Sequence, residues 1–344
     1  MNFAICIPNY NYASYLSSTI ESVLHQSEAG FEILVADNCS TDASIDVIEK
    51  YKALSGKIRY KVNPMNLGFA GNLDSVVQLV ESPYTIMLSS DDLMRPNALS
   101  VYSKLIKSVA NEGPLLVSSA KNIIDSEGAL IRTERAADMI KPLWYDTDVD
   151  ERLSTIVGHK VFKVESSEML RRVIHSFGNP FNFLATCYST HLLEKVGGYG
   201  TGRMINPDKW FHWRLLGEVK FVYFIDEPLF EYRWHSANQL AQEISSGYLK
   251  YLTDEYRSVI EIAPKLLAKA GISRTGVHKA FVNNVIIRHG LGELKRGYSL
   301  KALRVFFFGW ATFPSLMLRD PRTYVYGLLV GLGPLGTLLL KLRR

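Results

Sequence analysis

Cysteine is scarce in this chain. Its 344 residues include three, Cys6, Cys39 and Cys187, an odd number without zinc-ligand spacing. A disulfide framework and a structural zinc site are excluded on that basis, and free thiols in a reducing compartment are expected. Met1 to Tyr10 lacks the basic start and long apolar stretch of a signal peptide, so the protein is expected to face the cytoplasm. No internal repeat or low-complexity segment occurs. Charged residues at 21% and apolar residues at 47% describe a folded protein rather than a disordered one. Acids are nearly missing from one end only. Residues 265–344 hold fourteen Lys/Arg and two acids, Glu293 and Asp320, a net of +12. The remainder holds 25 basic and 32 acidic residues, a net of −7. An acidic body with a basic tail points to an anionic surface as a partner.

What is present is an alternation of strand-like and helix-like runs. Phe3 to Ile7, Phe31 to Ala36, Ile58 to Val62, Tyr84 to Leu88 and Leu115 to Ile124 read as strands. Between the first four lie helical spacings: Leu16, Ile20, Val23 and Leu24, then Ile45, Ile48 and Tyr51, then Asn66 to Val80. Leu99 to Val109 is a fourth helix. Repeated βα units of this length imply an α/β fold with a mostly parallel sheet flanked by helices. Asp125 to Lys163 is polar and mixed and reads as a loop-rich insertion; apolar runs return at Phe181–Thr186 and Phe221–Ile225. From Ser245 strand signals vanish, so two parts are expected, 1–244 and a helical 245–344.

Polar residues gather where the strands end. Pro8-Asn-Tyr-Asn11, Asp37-Asn38 and Ser89-Ser-Asp-Asp92 follow the first, second and fourth strands. In a parallel sheet those ends share one edge, where open α/β sheets bind ligands. Asp91 and Asp92 suit a divalent cation holding a diphosphate, though they could instead cap the helix that begins near Pro96. Tyr10 suits stacking on a base, and Asp37 accepting a ring N–H; alternatively Asp37, Ser40 and Asp42 cap the helix that follows. Asn66-Leu-Gly68 and Asn72 form another loop against the nucleotide, or only a turn.

Together, Pro8-Asn-Tyr-Asn11, Val35-Ala-Asp-Asn-Cys-Ser-Thr-Asp42, Asn66-Leu-Gly68 and Leu88-Ser-Ser-Asp-Asp92 resemble the family-2 glycosyltransferases of GT-A (Rossmann-like) fold over about residues 1–240. The resemblance, which extends to bacterial O-antigen and capsule polysaccharide enzymes, implies an inverting transfer from a nucleotide-diphosphate sugar. It implies nucleotide contacts at Pro8, Tyr10, Asn11, Asp37, Asn66, Gly68, Asn72, Ser90 and Asp92. It also implies Mn²⁺ or Mg²⁺ at Asp91. Ser89 stands where the family's metal motif usually carries its first Asp. The family's catalytic base follows a Gly-Gly turn at a helix start. Gly197-Gly-Tyr199 followed by Asn206-Pro-Asp-Lys-Trp210 puts Asp208 there, with Pro207 where relatives often have Glu. The rival reading of Asp208 is a helix-start acid facing the dipole. Tyr232-Arg-Trp-His235 with Asn238 resembles the family's last loop, which implies His235 as a further metal ligand; Arg233 could pair with phosphate, and Trp210, Trp213 and Trp234 could stack on a sugar.

The tail carries two apolar stretches. One runs from Val305 to Leu318; the other, Tyr324 to Leu340, spans seventeen residues with four glycines and Pro334. A spanning helix needs about 20 apolar residues, so a monotopic contact is expected, helices lying on or dipping into an anionic leaflet. Lys301, Arg304, Arg319, Arg322, Lys341, Arg343 and Arg344 flank these stretches. Interleaved Phe and Leu suit lipid better than nucleic acid. The expected setting is the cytoplasmic face of the inner membrane, with a lipid-linked glycan as acceptor. The competing class is a non-catalytic nucleotide-sugar-binding or scaffold protein of a polysaccharide-assembly complex, which Ser89 and Pro207 favour.

Overall fold

The structure, a computed structural model, describes residues 1–139, 141–200, 207–235, 238 and 248–342. The chain forms two compact units, Met1–Leu170 with Asn179–Ala241, and Arg171–Gly178 with Gln242–Arg344.

In the first unit, β1 (Phe3–Asn9) is buried along its whole length, as an apolar strand covered on both faces must be. Helix α1 (Ala13–Leu24) buries Leu16, Ile20 and Val23, one face at helical spacing. Then follow β2 (Phe31–Asp37), α2 (Ser44–Leu54), β3 (Ile58–Val62), α3 (Gly68–Val77) and β4 (Tyr84–Met87). A short β5 (Leu93–Met94) precedes α4 (Ala98–Ser108), β6 (Leu116–Ile124), β7 (Leu130–Glu134), α5 (Glu151–Val157) and β8 (Val161–Glu165). Last come α6 (Ser166–Ser176), which from Arg171 on belongs to the second unit, β9 (Cys187–Ser189), α7 (Leu192–Val196), α8 (Pro207–Glu218) and β10 (Phe221–Arg233). The sheet runs β3-β2-β1-β4-β9-β6-β10-β5, with β7 beside β6 and β8 beside β10. Most paired positions lie in parallel pairings: β1 with β2 and β4, β2 with β3, and β6 with β10. Short β9 joins the two parallel blocks by antiparallel pairs to β4 and β6.

Two segments differ from the sequence expectation. The polar stretch 125–163 contributes β7, α5 and most of β8 rather than a bare loop. Asp150 caps α5 by accepting the Leu153 N–H, and Gly158 in the left-handed region ends it. The apolar run 181–186 forms a 3-10 turn at Phe183–Ala185, with the strand delayed to β9. Tyr102 holds that turn by donating to the Ala185 carbonyl, 2.5 Å away.

The second unit is helical among its described residues. It comprises α9 (Tyr248–Glu261), α10 (Pro264–Ala270), α11 (Arg274–Phe281), a π-helical segment Val282–Arg288 and α12 (His289–Lys295). After these come α13 (Ser299–Thr312), α14 (Pro314–Arg319), α15 (Pro321–Gly331) and α16 (Pro334–Leu342). Proline opens α10, α14 and α15, where its missing N–H costs nothing. Tyr256, Phe281, Phe308 and Phe313 pack as an aromatic core. Among the described residues no helix is long and apolar enough to cross a membrane.

Candidate active site

The edge where β1 and β2 end is built from amides and one acid. Register pairs Asn9 with Asp37. Asn9 Nδ2 donates to Asp37 Oδ2 at 2.8 Å, and Asp37 also accepts the Ser40 N–H at 2.8 Å and the Ser40 hydroxyl at 2.6 Å. Three of the roughly four acceptor directions of that carboxylate are thereby used inside the protein. Asp42 accepts the Ala13 and Ser44 N–H groups, tying α1 to the turn before α2. The two loops hold each other in an uncommon backbone region: Asn11 has φ 56° and Cys39 φ 64°. Asn11 donates its N–H to Ser40 and accepts that of Thr41.

Beside them Asn38 Nδ2 donates to Asn66 Oδ1 at 2.8 Å and to the Gly68 carbonyl at 3.3 Å. Gly68 opens α3 at φ 73°, a conformation that suits glycine. Asn72 is buried and bridges Asn63 and the Asn9 carbonyl. Pro8 lies inside β1, and Tyr10 is 42% exposed at its end. The amide chain Asn9-Asn72-Asn63-Asn38-Asn66 thus fixes three loops along one sheet edge.

The acids after β4 sit on the opposite flank of β1. The Ser90 carbonyl accepts the Thr19 hydroxyl at 2.9 Å. Asp91 and Asp92 do not cap α4: β5 intervenes, and the helix starts at Ala98 behind Asn97. Asp91 Oδ2 instead lies 3.0 Å from His235 Nε2 and 3.2 Å from Asn238 Nδ2, with all three residues buried. Tyr15 stacks on the His235 ring, centroids 4.9 Å apart, and Tyr12 meets it edge-on. Asp92 Oδ1 accepts the Arg233 N–H at 2.9 Å, while its buried Oδ2 has no hydrogen-bond partner. Burial, reinforced by the Asp91 charge, pushes the Asp92 carboxyl well above the ordinary range. Arg233 does not offer a free guanidinium to phosphate: it is buried and donates to the carbonyls of Asp91, Asp125 and Ser126.

Asp208 is the second residue of α8 and partly buried. Burial raises its carboxyl above the ordinary range, partly offset by backbone N–H groups of its own helix start. Its Oδ2 accepts from Asn179 Nδ2 at 3.2 Å, and Asn179 Oδ1 lies 3.1 Å from His212 Nδ1. Burial lowers His212 to about 3, so the ring is neutral. A carboxylate only accepts, so Asn179 turns its NH₂ to Asp208 and its oxygen to His212, whose Nδ1 then carries the proton. Lys121, near the end of β6, is where the two groups of acids meet electrostatically. Its charge pulls down the carboxyls of both Asp92 and Asp208, and it lies 3.6 Å from Glu134. Trp210 and Trp213 are buried, their rings 6.1 Å apart, whereas Trp234 is exposed.

Asn179, His212 and Lys121 are absent from the sequence reading. Only Lys121 leaves a trace there, a lysine inside an otherwise uncharged strand. Asn206 and the Thr201–Met204 stretch before Asp208 lie outside the described residues, as do Arg343 and Arg344.

The residues test well against a divalent cation. Two ligands about 2.1 Å from a six-coordinate ion lie about 3 Å apart when adjacent, the span of Asp91 Oδ2 and His235 Nε2. The unpartnered Asp92 Oδ2 adds an oxygen seeking positive charge. Among the described residues no group of three or more His, Cys, Asp or Glu side chains encloses a metal. A small cation that takes its remaining ligands from phosphate and water needs no such cage.

A model of glycosyl transferase family 2 matches residues 4–175. An uncharacterized glycosyltransferase of Nostoc is 27% identical over 307 residues, 85% of this chain and 78% of that protein. Abequosyltransferase RfbV of Salmonella typhimurium is 30% identical over 114 residues, 32% of this chain and 34% of its own. Among solved structures, S. aureus TarS 1–349 with UDP-GlcNAc aligns over 99% of this chain and 89% of its own, TM-score 0.64, at 15% identity. The mannosyltransferase PcManGT of Pyrobaculum calidifontis with GDP-Man and Mn²⁺ aligns over 97% and 87%, TM-score 0.54, at 13% identity. At such identities the structural likeness shows the fold, which is GT-A.

Proposed function

Because this chain belongs to glycosyl transferase family 2, we propose that it moves a sugar, with inversion, from a nucleotide-diphosphate sugar to a hydroxyl of a lipid-linked glycan in cell-surface polysaccharide synthesis. One observation carries the reading. The Asp91–His235–Asn238 cluster and the Asn179-held Asp208 both lie at ends of elements of one sheet unit, with the Lys121 charge acting on both Asp92 and Asp208.

In this reading the nucleotide lies along the β1–β2 edge, with Tyr10 against the base and the Asn11, Asn66, Gly68 and Asn72 loops along the ribose side. Pro8, Asp37 and Ser90 support that edge from within, and Asp92 completes the acidic corner. Asp91 and His235 hold a divalent cation, which when bound supplies positive charge to the departing diphosphate. Asp208 takes the proton of the acceptor hydroxyl as that oxygen bonds to the anomeric carbon. The bond from that carbon to the donor phosphate breaks, and its electron pair leaves on the nucleoside diphosphate. A carboxyl raised by burial is a stronger base than one in water, which suits this task. Asn179, itself held by neutral His212, orients the Asp208 carboxyl through its Oδ2. Solved neighbours in complex with UDP-GlcNAc and with GDP-Man and Mn²⁺ support a nucleotide-sugar donor and a metal. The abequosyltransferase relative supports a cell-surface glycan.

The test is a panel of nucleotide sugars with Mn²⁺, comparing the native chain with Asp208→Asn. Turnover should fall roughly 10²–10⁴-fold while donor affinity stays within a small factor. Equal loss of binding and turnover would show Asp208 to be structural. Donor binding without turnover in the native chain would favour the scaffold reading.

A further inference from the structure

Helices α15 and α16 are built inside out. In α15 the residues turned inward are Thr323, Tyr326 and Val330, while Tyr324, Val325, Leu328 and the following Leu332 are exposed. In α16 the inward residues are Gly336 and Thr337, and Leu335, Leu338, Leu339 and Leu342 are exposed. Each exposed set recurs at one helical face. Two of the inward polar groups are satisfied within the unit: Thr337 donates to the Leu294 carbonyl at 3.0 Å and Tyr326 to that of Ala302 at 2.6 Å, while the buried Thr323 hydroxyl has no hydrogen-bond partner. The leucines therefore face outward because the polar and small positions are the ones that pack. Leu318 of α14 and Phe307 of α13 are more than half exposed as well.

Charge identifies what covers this face. Residues 295–344 carry nine Lys/Arg and one acid, Asp320, which is bound by Arg322 at 2.5 Å. Arg322 and Lys341 lie roughly 100° around their helices from the centre of each leucine stripe, at about 100° per residue, so their long stems flank it. An apolar face edged by cations and nearly free of carboxylates complements a layer with apolar depth and anionic headgroups. At 1.5 Å per residue these helices are about 14–17 Å long, half a bilayer core and too short to cross it. We propose that the outer faces of α15 and α16, with Leu318 and Phe307, dock this protein on an anionic lipid surface. This goes beyond the reaction proposed above and stands whatever acceptor the enzyme uses.

The experiment is sedimentation of the full chain with vesicles of phosphatidylcholine alone or mixed with phosphatidylglycerol, at low and high salt. It includes the triple variant Leu328→Gln, Leu338→Gln, Leu339→Gln. These side chains are exposed, so the fold should tolerate the change, which circular dichroism and nucleotide binding verify. The native chain should bind the anionic vesicles, less so at high salt, and the triple variant should lose affinity roughly tenfold or more. Absence of vesicle binding overturns the proposal, as does binding that the leucine changes leave intact. A native dimer that the triple variant splits, without vesicle binding, assigns the face to a second copy and also overturns it. Donor binding in the same samples reports separately on the active-site reading.

Discussion

At the residue scale, Asp208 serves chemistry at the expense of stability. Its carboxyl is raised in the fold, so the stability it contributes is present below the unfolded pKa and lost as pH rises through the folded one. At neutral pH the charged form is a burden. Asp208→Asn should therefore raise the melting temperature even as turnover falls, and a variant that melts lower would contradict this assignment. Asn179 makes a positioning contact, not a chemical one. Asn179→Ala should lower kcat roughly tenfold and shift the acidic limb of the pH–rate profile, with KM for the donor unchanged. His212 titrates with the opposite sign. Held at about 3 against an ordinary 6.5, it supports the fold above about 6.5, and that support drains away as pH falls toward about 3. Denaturant melts across this range should show a steeper loss for the native chain than for His212→Gln. Equal slopes would remove His212 as the cause.

At the element scale, the apolar runs that became β1, β2, β4 and β6 were legible because each is a buried strand ended by a polar turn. The stretch 125–163 was not. Its strand β7 lies at the margin of the sheet with Leu130 and Ile131 exposed, so no clean alternation survives, and α5 is only seven residues long. The run 181–186 misleads in the other direction, since apolar residues fill a turn against Tyr102 rather than a strand. Glycines of the tail, which break up the apolar stretch in the sequence, act as contacts in the fold. A Cβ on Gly336 would collide with the Leu329 carbonyl, whereas one on Gly331 meets nothing within 4 Å. Gly336→Ala should cost the second unit about 1–3 kcal/mol, and Gly331→Ala should be neutral or stabilise by up to about 1 kcal/mol. Chemical denaturation of the two variants checks both signs.

At the scale of the whole molecule, the chain splits into a mixed α/β unit with the acids and a helical unit with the excess of cations. Composition marks the charge contrast and the loss of strand signals after 244, but not that Arg171–Gly178 belongs with the helical unit. The candidate site was visible in part: Asp91, Asp208 and His235 stand in motifs, Asp91 and His235 meet each other buried, and Asp208 meets the half-buried Asn179. Asn179, His212 and Lys121 were invisible because their roles come from contacts across 29, 33 or more residues of sequence, with no local pattern to mark them. Arg233 shows the converse, a motif arginine whose guanidinium is spent on three carbonyls of neighbouring turns. The central claim is that Asp91 and His235 hold a cation against a nucleotide diphosphate while Asp208 stands apart as base. Calorimetric titration of a nucleoside diphosphate, with and without Mn²⁺, into the native chain, Asp91→Asn and Asp208→Asn tests it directly. Affinity should rise with Mn²⁺ in the native chain and in Asp208→Asn, and the rise should vanish in Asp91→Asn; metal-independent binding in all three would contradict it.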